Sequence, residues 1–323
     1  MHDPNRPPRA RRARSQPAGP LVPSGPEPVR IRPIHEGVSI QITSYACCKA
    51  DCHAGDEEQQ PGHVIVFPHA GVFVKHHEGT DVVVDANSCV FFNHPERYRT
   101  SHPYGFGDRG SAIVIAPELL LEIVASHDAS VETRPERPFP LSHCPCDGRS
   151  HLLVRVLTHL LERGEAGDAM QVEETAIELV DRVVGAACQR RGRQRPRMGV
   201  ATARAHRAAA DAVAGLLARR FDEPWRLEDI ARVVHVSPHH LCRVFRAQTG
   251  QTIHAYLNRF RLRHALDQLG DRSVTLTHLA TRVGFASHSH FTQAFRREFG
   301  ITPSVVRRVA SLREMRRLTR RAG

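Results

Sequence analysis

The sequence predicts an α+β multidomain chain. A β-rich barrel or sandwich comes first, then a helical hairpin, then an all-α domain. Three observations predict this order. Short β-branched runs separated by turn residues crowd positions 34–116. Two apolar stripes at helical spacing follow within 151–188. Beyond residue 200 everything reads helical, and one two-helix pattern occurs twice, about fifty residues apart.

Each element has its own reason. Residues 1–33 alternate Pro, Arg, Gly and Ser and read as a disordered basic arm, or as a mis-assigned translation start. Met1 to Arg14 has no apolar stretch, so it is not a secretory signal. No window reaches the ~20 apolar residues of a membrane span. A soluble, cytoplasmic protein is expected. Residues 34–150 form a β-rich sensing domain. Its strands are Val38-Ser-Ile-Gln-Ile-Thr, His63-Val-Ile-Val-Phe, Gly71-Val-Phe-Val-Lys, Asp81-Val-Val-Val-Asp, Ser88-Cys-Val-Phe-Phe and Ser111-Ala-Ile-Val-Ile. Pro117 opens a helix to Ser126, where its missing N–H costs nothing. Residues 127–149 read as loop.

In the hairpin, 151–188, Leu152, Leu153, Val156, Leu157, Leu160 and Leu161 make one stripe. Val172, Ala176, Leu179, Val180, Val183 and Val184 make the other. Two such helices could cover the barrel or pair with a second subunit. Pairing is favoured, so the hairpin is assigned to dimerisation. Residues 189–200 are a basic linker, 201–308 the all-α domain and 309–323 a basic tail.

The repeated pattern is a helix, a tight turn and a second helix ending in Gly, which is a helix-turn-helix. In the first copy Leu227, Ile230, Ala231 and Val234 share one face, and Ser237 and Pro238 start the second helix. Leu241, Val244 and Phe245 face inward. His239, Cys242, Arg243 and Arg246 face outward, toward base edges or phosphates. In the second copy Leu279, Ala280 and Val283 repeat the core, Gly284 turns and Ser287 caps. Phe291, Ala294 and Phe295 face inward. His288, Ser289, Thr292, Gln293 and Arg296 face outward. The first copy has His235 where the second has Gly284, a left-handed position that His tolerates with some strain. The second copy has one extra residue between turn and cap.

Charge follows the same division. Residues 1–33 carry net +5, residues 34–196 net −8 and residues 197–323 net +14, so the positive field sits on the repeated pattern. Only Lys49 and Lys75 of the 45 basic residues are lysines. Arginine suits bidentate phosphate and guanine contacts, and it equally reflects the base composition of a gene.

Residues 204–308 resemble the DNA-binding domain of the AraC/XylS family of bacterial transcription regulators. The resemblance rests on Glu223-Pro-Trp-Arg-Leu-Glu-Asp-Ile-Ala, Ser237-Pro-His-His-Leu-Cys-Arg-Val-Phe, Tyr256-Leu-Asn-Arg-Phe-Arg-Leu-Arg-His-Ala-Leu, Val283-Gly-Phe-Ala-Ser-His-Ser-His-Phe and Phe295-Arg-Arg-Glu-Phe-Gly-Ile-Thr-Pro303. It implies seven helices, with a long helix joining two subdomains. It implies two recognition helices in successive major grooves of double-stranded DNA, and contact with RNA polymerase, more often to activate. It marks His239, Cys242, Arg243, His288, Ser289, Thr292 and Gln293 as base-contact candidates. Many family members carry Arg where Gln293 stands, and Gln prefers adenine, so the family's base preference does not transfer. Residues 34–150 resemble, more weakly, the cupin-like sensing or dimerisation domain of such regulators, which implies a homodimer and an unknown small-molecule effector.

Cys47, Cys48, Cys52 and His53 cluster, as do His143, Cys144 and Cys146, and together they have the ligand types of a thiolate metal site. Neither cluster has the Cys-x-x-Cys spacing of zinc knuckles, and separate thiols are the favoured reading. His76, His77 and Glu78 superficially fit a cupin metal site without its spacing. No cofactor and no enzymatic activity are expected. The alternatives are a metal- or cysteine-dependent enzymatic or redox-sensing N-terminal domain, and one that only dimerises.

Overall fold

The computed structural model describes residues 29–48, 54–193, 200–309 and 311–321. Strands β1 (Val29–Glu36), β2 (Ile40–Cys47), β3 (Glu58–Gln59), β4 (His63–Ala70), β5 (Val72–His77), β6 (Thr80–Asp85), β7 (Ser88–Phe92), β8 (Arg97–Ser101), β9 (Asp108–Ile115) and β10 (His143–Pro145) build two sheets. The larger has the order β1-β2-β9-β4-β7-β10 and the smaller β3-β8-β5-β6. Every pairing within them is antiparallel.

Side chains alternate along a strand, so β4 serves two cores. Val64 and Val66 pack in the interior between the sheets, with Phe73, Val82, Val84 and Tyr98 of the smaller sheet. Ile65 and Phe67 belong to the cluster formed with the helices. Burial on both faces is why this strand reads as an unbroken apolar run.

Helices α1 (Pro117–His127), α2 (Gly148–Glu162) and α3 (Ala169–Arg193) cover the larger sheet. Asp147 caps α2 by accepting from the N–H groups of Arg149 and Ser150. The hairpin stripes favour pairing with a second subunit, but the chain uses them itself. Leu152, Leu157, Leu160, Val180 and Val184 are at most 2 % exposed and share a core with Ile40, Ile65 and Phe91. Each such side chain contributes about 1.5–3 kcal/mol by leaving water.

The all-α domain contains α4 (Val200–Arg219), α5 (Leu227–Val233), α6 (Pro238–Thr249), α7 (Ile253–Gln268), α8 (Leu276–Arg282), α9 (His288–Phe299) and α10 (Pro303–Val306), the seven helices that the resemblance implies. Among the described residues no helix is long and apolar enough to cross a membrane.

Two expected boundaries move, and the tail gains a helix. The arm was expected to run to residue 33, but Val29–Pro33 pair with Thr43–Cys47; residues 1–28 lie outside the described residues. The linker was expected from 189, but α3 continues to Arg193; 194–199 lie outside the description. The tail carries helix α11 (Leu312–Arg321), whose Leu312 and Met315 are fully buried. Arg316 anchors that helix by donating to Glu174 and Glu178 of α3 at 2.6 and 3.2 Å.

Candidate nucleic-acid interface

The two helix-turn-helix units are built from local chemistry. In the first, Ile230 and Ala231 of α5 meet Leu241 and Phe245 of α6, all at most 3 % exposed. Ser237 caps α6 by accepting from His240 N–H. Gly250 ends it in the left-handed conformation at φ 77°. In the second, Leu279 and Ala280 of α8 meet Phe291 and Phe295 of α9, all fully buried. Ser287 caps α9 through His290 N–H, and Gly300 closes it at φ 78°.

The turns differ as their sequences suggest. His235 adopts φ 55° and Gly284 φ 88°. A Cβ on Gly284 would lie 2.8 Å from the Asp222 carbonyl oxygen, so this turn has no room for a side chain. The extra residue of the second turn lets Phe285 fold inward, 3 % exposed, against His290 and Phe291.

Each predicted outward residue lies on the outer face of its recognition helix. On α6, His239, Cys242, Arg243 and Arg246 are exposed. On α9, His288, Ser289, Gln293 and Arg296 are exposed, and Thr292 is half-buried beside His288 Nε2 at 3.4 Å. Arg243 reaches back to His240 Nδ1 at 3.4 Å, and Cys242 is a free, exposed thiol. These faces present hydrogen-bond donors, acceptors and guanidinium groups to solvent, the chemistry that direct base readout uses.

Residues 230–309 match the model of a helix-turn-helix domain. The carboxy-terminal domain is of the AraC type. The chain is 33 % identical over 97 residues to the transcriptional activator RhaR of Cronobacter sakazakii, covering 30 % of this chain and 34 % of that one. It is 36 % identical over 83 residues to the activator RclR of Escherichia coli, covering 26 % and 29 %. It is 40 % identical over 87 residues to the activator RhaS of Escherichia fergusonii, covering 27 % and 31 %. The chain thus spans about a third of the length of the curated relatives it matches. The structure of ToxT from Vibrio cholerae aligns with 83 % of this chain and 98 % of its own at 14 % identity, with a TM-score of 0.34. A likeness that loose carries no argument.

The AraC-type domain is clamped to the β-rich domain through α7, which the sequence did not foretell. Tyr256 donates its hydroxyl to Asp85 at 2.6 Å, and Asn87 donates to the Tyr256 carbonyl at 3.4 Å. Arg263 is fully buried and donates to the carbonyls of Ala86 and Cys146. Asp267 accepts from Arg155 at 2.6 Å and from Arg109 at 3.0 Å. Burial would raise the Asp267 carboxyl, but the Arg155 and Arg109 guanidiniums outweigh it and hold it below its ordinary value. Asp85 goes the other way, because burial outweighs the Tyr256 hydrogen bond.

The cysteine clusters of the sequence do not meet. Cys47 and Cys48 lie at the end of β2, and Cys144 and Cys146 at or beside β10, with three strands between. Cys52 and His53 lie outside the described residues. Cys144 instead meets Cys89 across β7 and β10, Sγ to Sγ 3.3 Å, and these hydrogen-bonded neighbours together with burial push the Cys89 thiol up. Of His76, His77 and Glu78 only the last two meet, His77 Nε2 lying 3.5 Å from Glu78 Oε2. His76 pairs with Asp81 and Ser101, His77 bonds the Arg97 carbonyl, and Glu78 faces Arg137. Cys47 lies against His102 and Asp108, a grouping invisible in the spacing of the sequence.

Proposed function

We propose that this protein is a sequence-specific, DNA-binding transcription regulator of the AraC/XylS type that activates transcription. Its β-rich domain senses a small-molecule effector or holds a second copy of the chain, and RNA polymerase is its partner at the promoter. The observation that carries this reading is the pair of recognition faces. Eight polar residues on α6 and α9 are exposed and Thr292 is half-buried beside them, while the opposite faces of both helices are buried. RhaR, RclR and RhaS, three of the relatives, are named as transcriptional activators, which supports the same reading.

In this mechanism arginines neutralise phosphates and supply affinity, and the outward side chains of α6 and α9 supply sequence. Gln293 favours adenine and Arg243 favours guanine.

The test starts from selection of bound fragments out of sheared genomic DNA by the full chain, followed by footprinting. Two protected segments about one helical turn, ~34 Å, apart are expected. Affinity should fall linearly on a log–log plot against salt. Absence of salt-dependent duplex binding, or protection of one segment only, would overturn the reading.

A further inference from the structure

The turn between β8 and β9 is anchored at both ends in one buried place. Cys47 at the end of β2 stands opposite Asp108 at the start of β9, in direct register. His102 follows β8, and its Nε2 lies 2.6 Å from Asp108 Oδ1. One donor atom from each of Cys47, His102 and Asp108 lies within 4.8 Å of the other two. The three residues are 8, 3 and 7 % exposed.

Tyr45 adds a fourth group. It shares the face of β2 with Cys47, two residues on, and stands opposite Gly110. A Cβ on Gly110 would fall 2.8 Å from the Tyr45 hydroxyl, so the missing side chain makes room for the ring. The hydroxyl is enclosed beside Asp108 and Cys47 without a well-aligned hydrogen bond. An enclosed polar group of this kind destabilises the fold unless something satisfies it. Backbone fixes the arrangement from behind. A Cβ on Gly107 would fall 1.8 Å from the Cys47 carbonyl oxygen, and one on Gly71 would fall 2.5 Å from Asp108 Cα.

We propose that Cys47, His102 and Asp108 bind a divalent transition-metal cation of the zinc type, with the Tyr45 hydroxyl beside the fourth position. One thiolate, one imidazole and one carboxylate are the donor set that such a cation takes. Bonds of about 2.0–2.3 Å in a tetrahedron separate the donors by roughly 3.3–3.7 Å. The donors therefore need to move little, and the His102–Asp108 pair opens by about 1 Å. The cation takes the place of the proton held between His102 and Asp108, and the Cys47 thiol releases its own. Thiolate and carboxylate together balance the two positive charges. Burial of all three groups closes the thiol to a substrate, which argues for binding rather than covalent catalysis by the same residues.

The position of the site says what it does. Between its ligands the turn carries Tyr104 and Phe106, which pack against a buried cluster made of Val72, Ala86, Ala218 of α4 and Phe260 of α7. Gly215 of α4 has no side chain because a Cβ there would fall 2.1 Å from the Tyr104 ring. Occupancy thus sets the turn on which the first helix of the AraC-type domain is seated. That regulatory role rests on the proposed DNA-binding function; the site itself does not.

The test uses the full chain, stripped with chelator and titrated with cobalt(II) chloride. One equivalent should produce a thiolate-to-cobalt absorption band and visible bands of tetrahedral intensity, and zinc(II) should bleach them. Cys47→Ser and Asp108→Asn should abolish the bands, while Cys144→Ser, Cys188→Ser and Cys242→Ser keep them. Should Cys47→Ser fail to fold, as judged by circular dichroism, Asp108→Asn and His102→Gln carry the same comparison. Hydrogen exchange in the peptide spanning 102–110 should slow about tenfold for each tenfold excess of cobalt over its dissociation constant, and not in the ligand variants. No stoichiometric band, or a band that survives Cys47→Ser and vanishes with Cys144→Ser, would overturn the site. A band without slowed exchange would overturn its hold on the turn. Neither readout uses DNA, so a failure of duplex binding leaves both standing.

Discussion

Asp267→Asn is the sharpest probe of the seam between the two domains. Asp267 is 5 % exposed and is the shared anion of Arg155 and Arg109. Asparagine keeps its size and removes its charge. Arg155, 13 % exposed, would then lie in the seam beside a neutral amide and His69 Nδ1, without its carboxylate. Removing one partner of a buried ion pair costs about 3–5 kcal/mol. Arg109 is 36 % exposed and regains water, so its share is discounted. The expected loss is about 3 kcal/mol, read by equilibrium urea unfolding of the full chain at pH 7. The pH dependence has a definite sign. Asp267 is held below its usual value, so its stabilisation is present above the unfolded value of 3.8 and is lost as pH falls through the folded one. The gap between wild type and variant should be full at neutral pH and close in acid. Adding Arg155→Met to Asp267→Asn should recover part of the loss, because no unpaired buried charge remains. A loss below about 1 kcal/mol, or a gap that stays constant into acid, would refute the clamp.

Arg243→Ala should weaken binding at a cognate site by about 1–3 kcal/mol and leave random duplex nearly unaffected; equal losses on both would make Arg243 a phosphate contact. His235→Gly should raise stability by about 0.5–1 kcal/mol by relieving a left-handed histidine, and His235→Val should lower it; a melting comparison decides. Asp211 of α4 is pushed up to about 7 by burial, with Asp81 adding to the effect and Arg207 opposing it. It lies near Tyr104, whose own hydroxyl burial raises to about 12. Its contribution is therefore present below the unfolded value of 3.8 and lost as pH rises through about 7. Stability should decline across that window in the wild type and much less in Asp211→Asn, and equal profiles would show that Asp211 titrates normally.

What the sequence discloses is what short-range chemistry decides. The recognition faces are legible because Ser237, Gly250, Ser287 and Gly300 sit where caps belong and the apolar residues keep helical spacing. The strands β4, β5, β6, β7 and β9 are legible from β-branched runs. Strand β8 is not, because Arg97-Tyr-Arg-Thr-Ser buries only Tyr98 and Ser101. Strand β1 hides for a similar reason: an exposed edge with Pro33 and two arginines looks like an unstructured arm. The hairpin stripes show that two helices bury a face, and nothing in them names the surface that covers it. Helix α11 turns inward on Leu312 and Met315, too few apolar residues to stand out from its arginines. The clamp is invisible for a stronger reason. Asp85 and Tyr256 are 171 positions apart, and Arg109 and Asp267 are 158 apart, so no local pattern records them.

Beyond its first turn, helix α7 buries more than one of its sides. Ile253, Tyr256, Leu257, Phe260, Leu262, Arg263, Ala265 and Leu266 are all buried, facing different neighbours around its circumference. Cutting the chain at residues 194–199 and removing the β-rich half would therefore bare Phe260 and leave Tyr256 and Arg263 without their partners there. The rod that joins the two helix-turn-helix units is also part of the interior of the β-rich half, so a change at Asp85 or Ala86 would be felt along it.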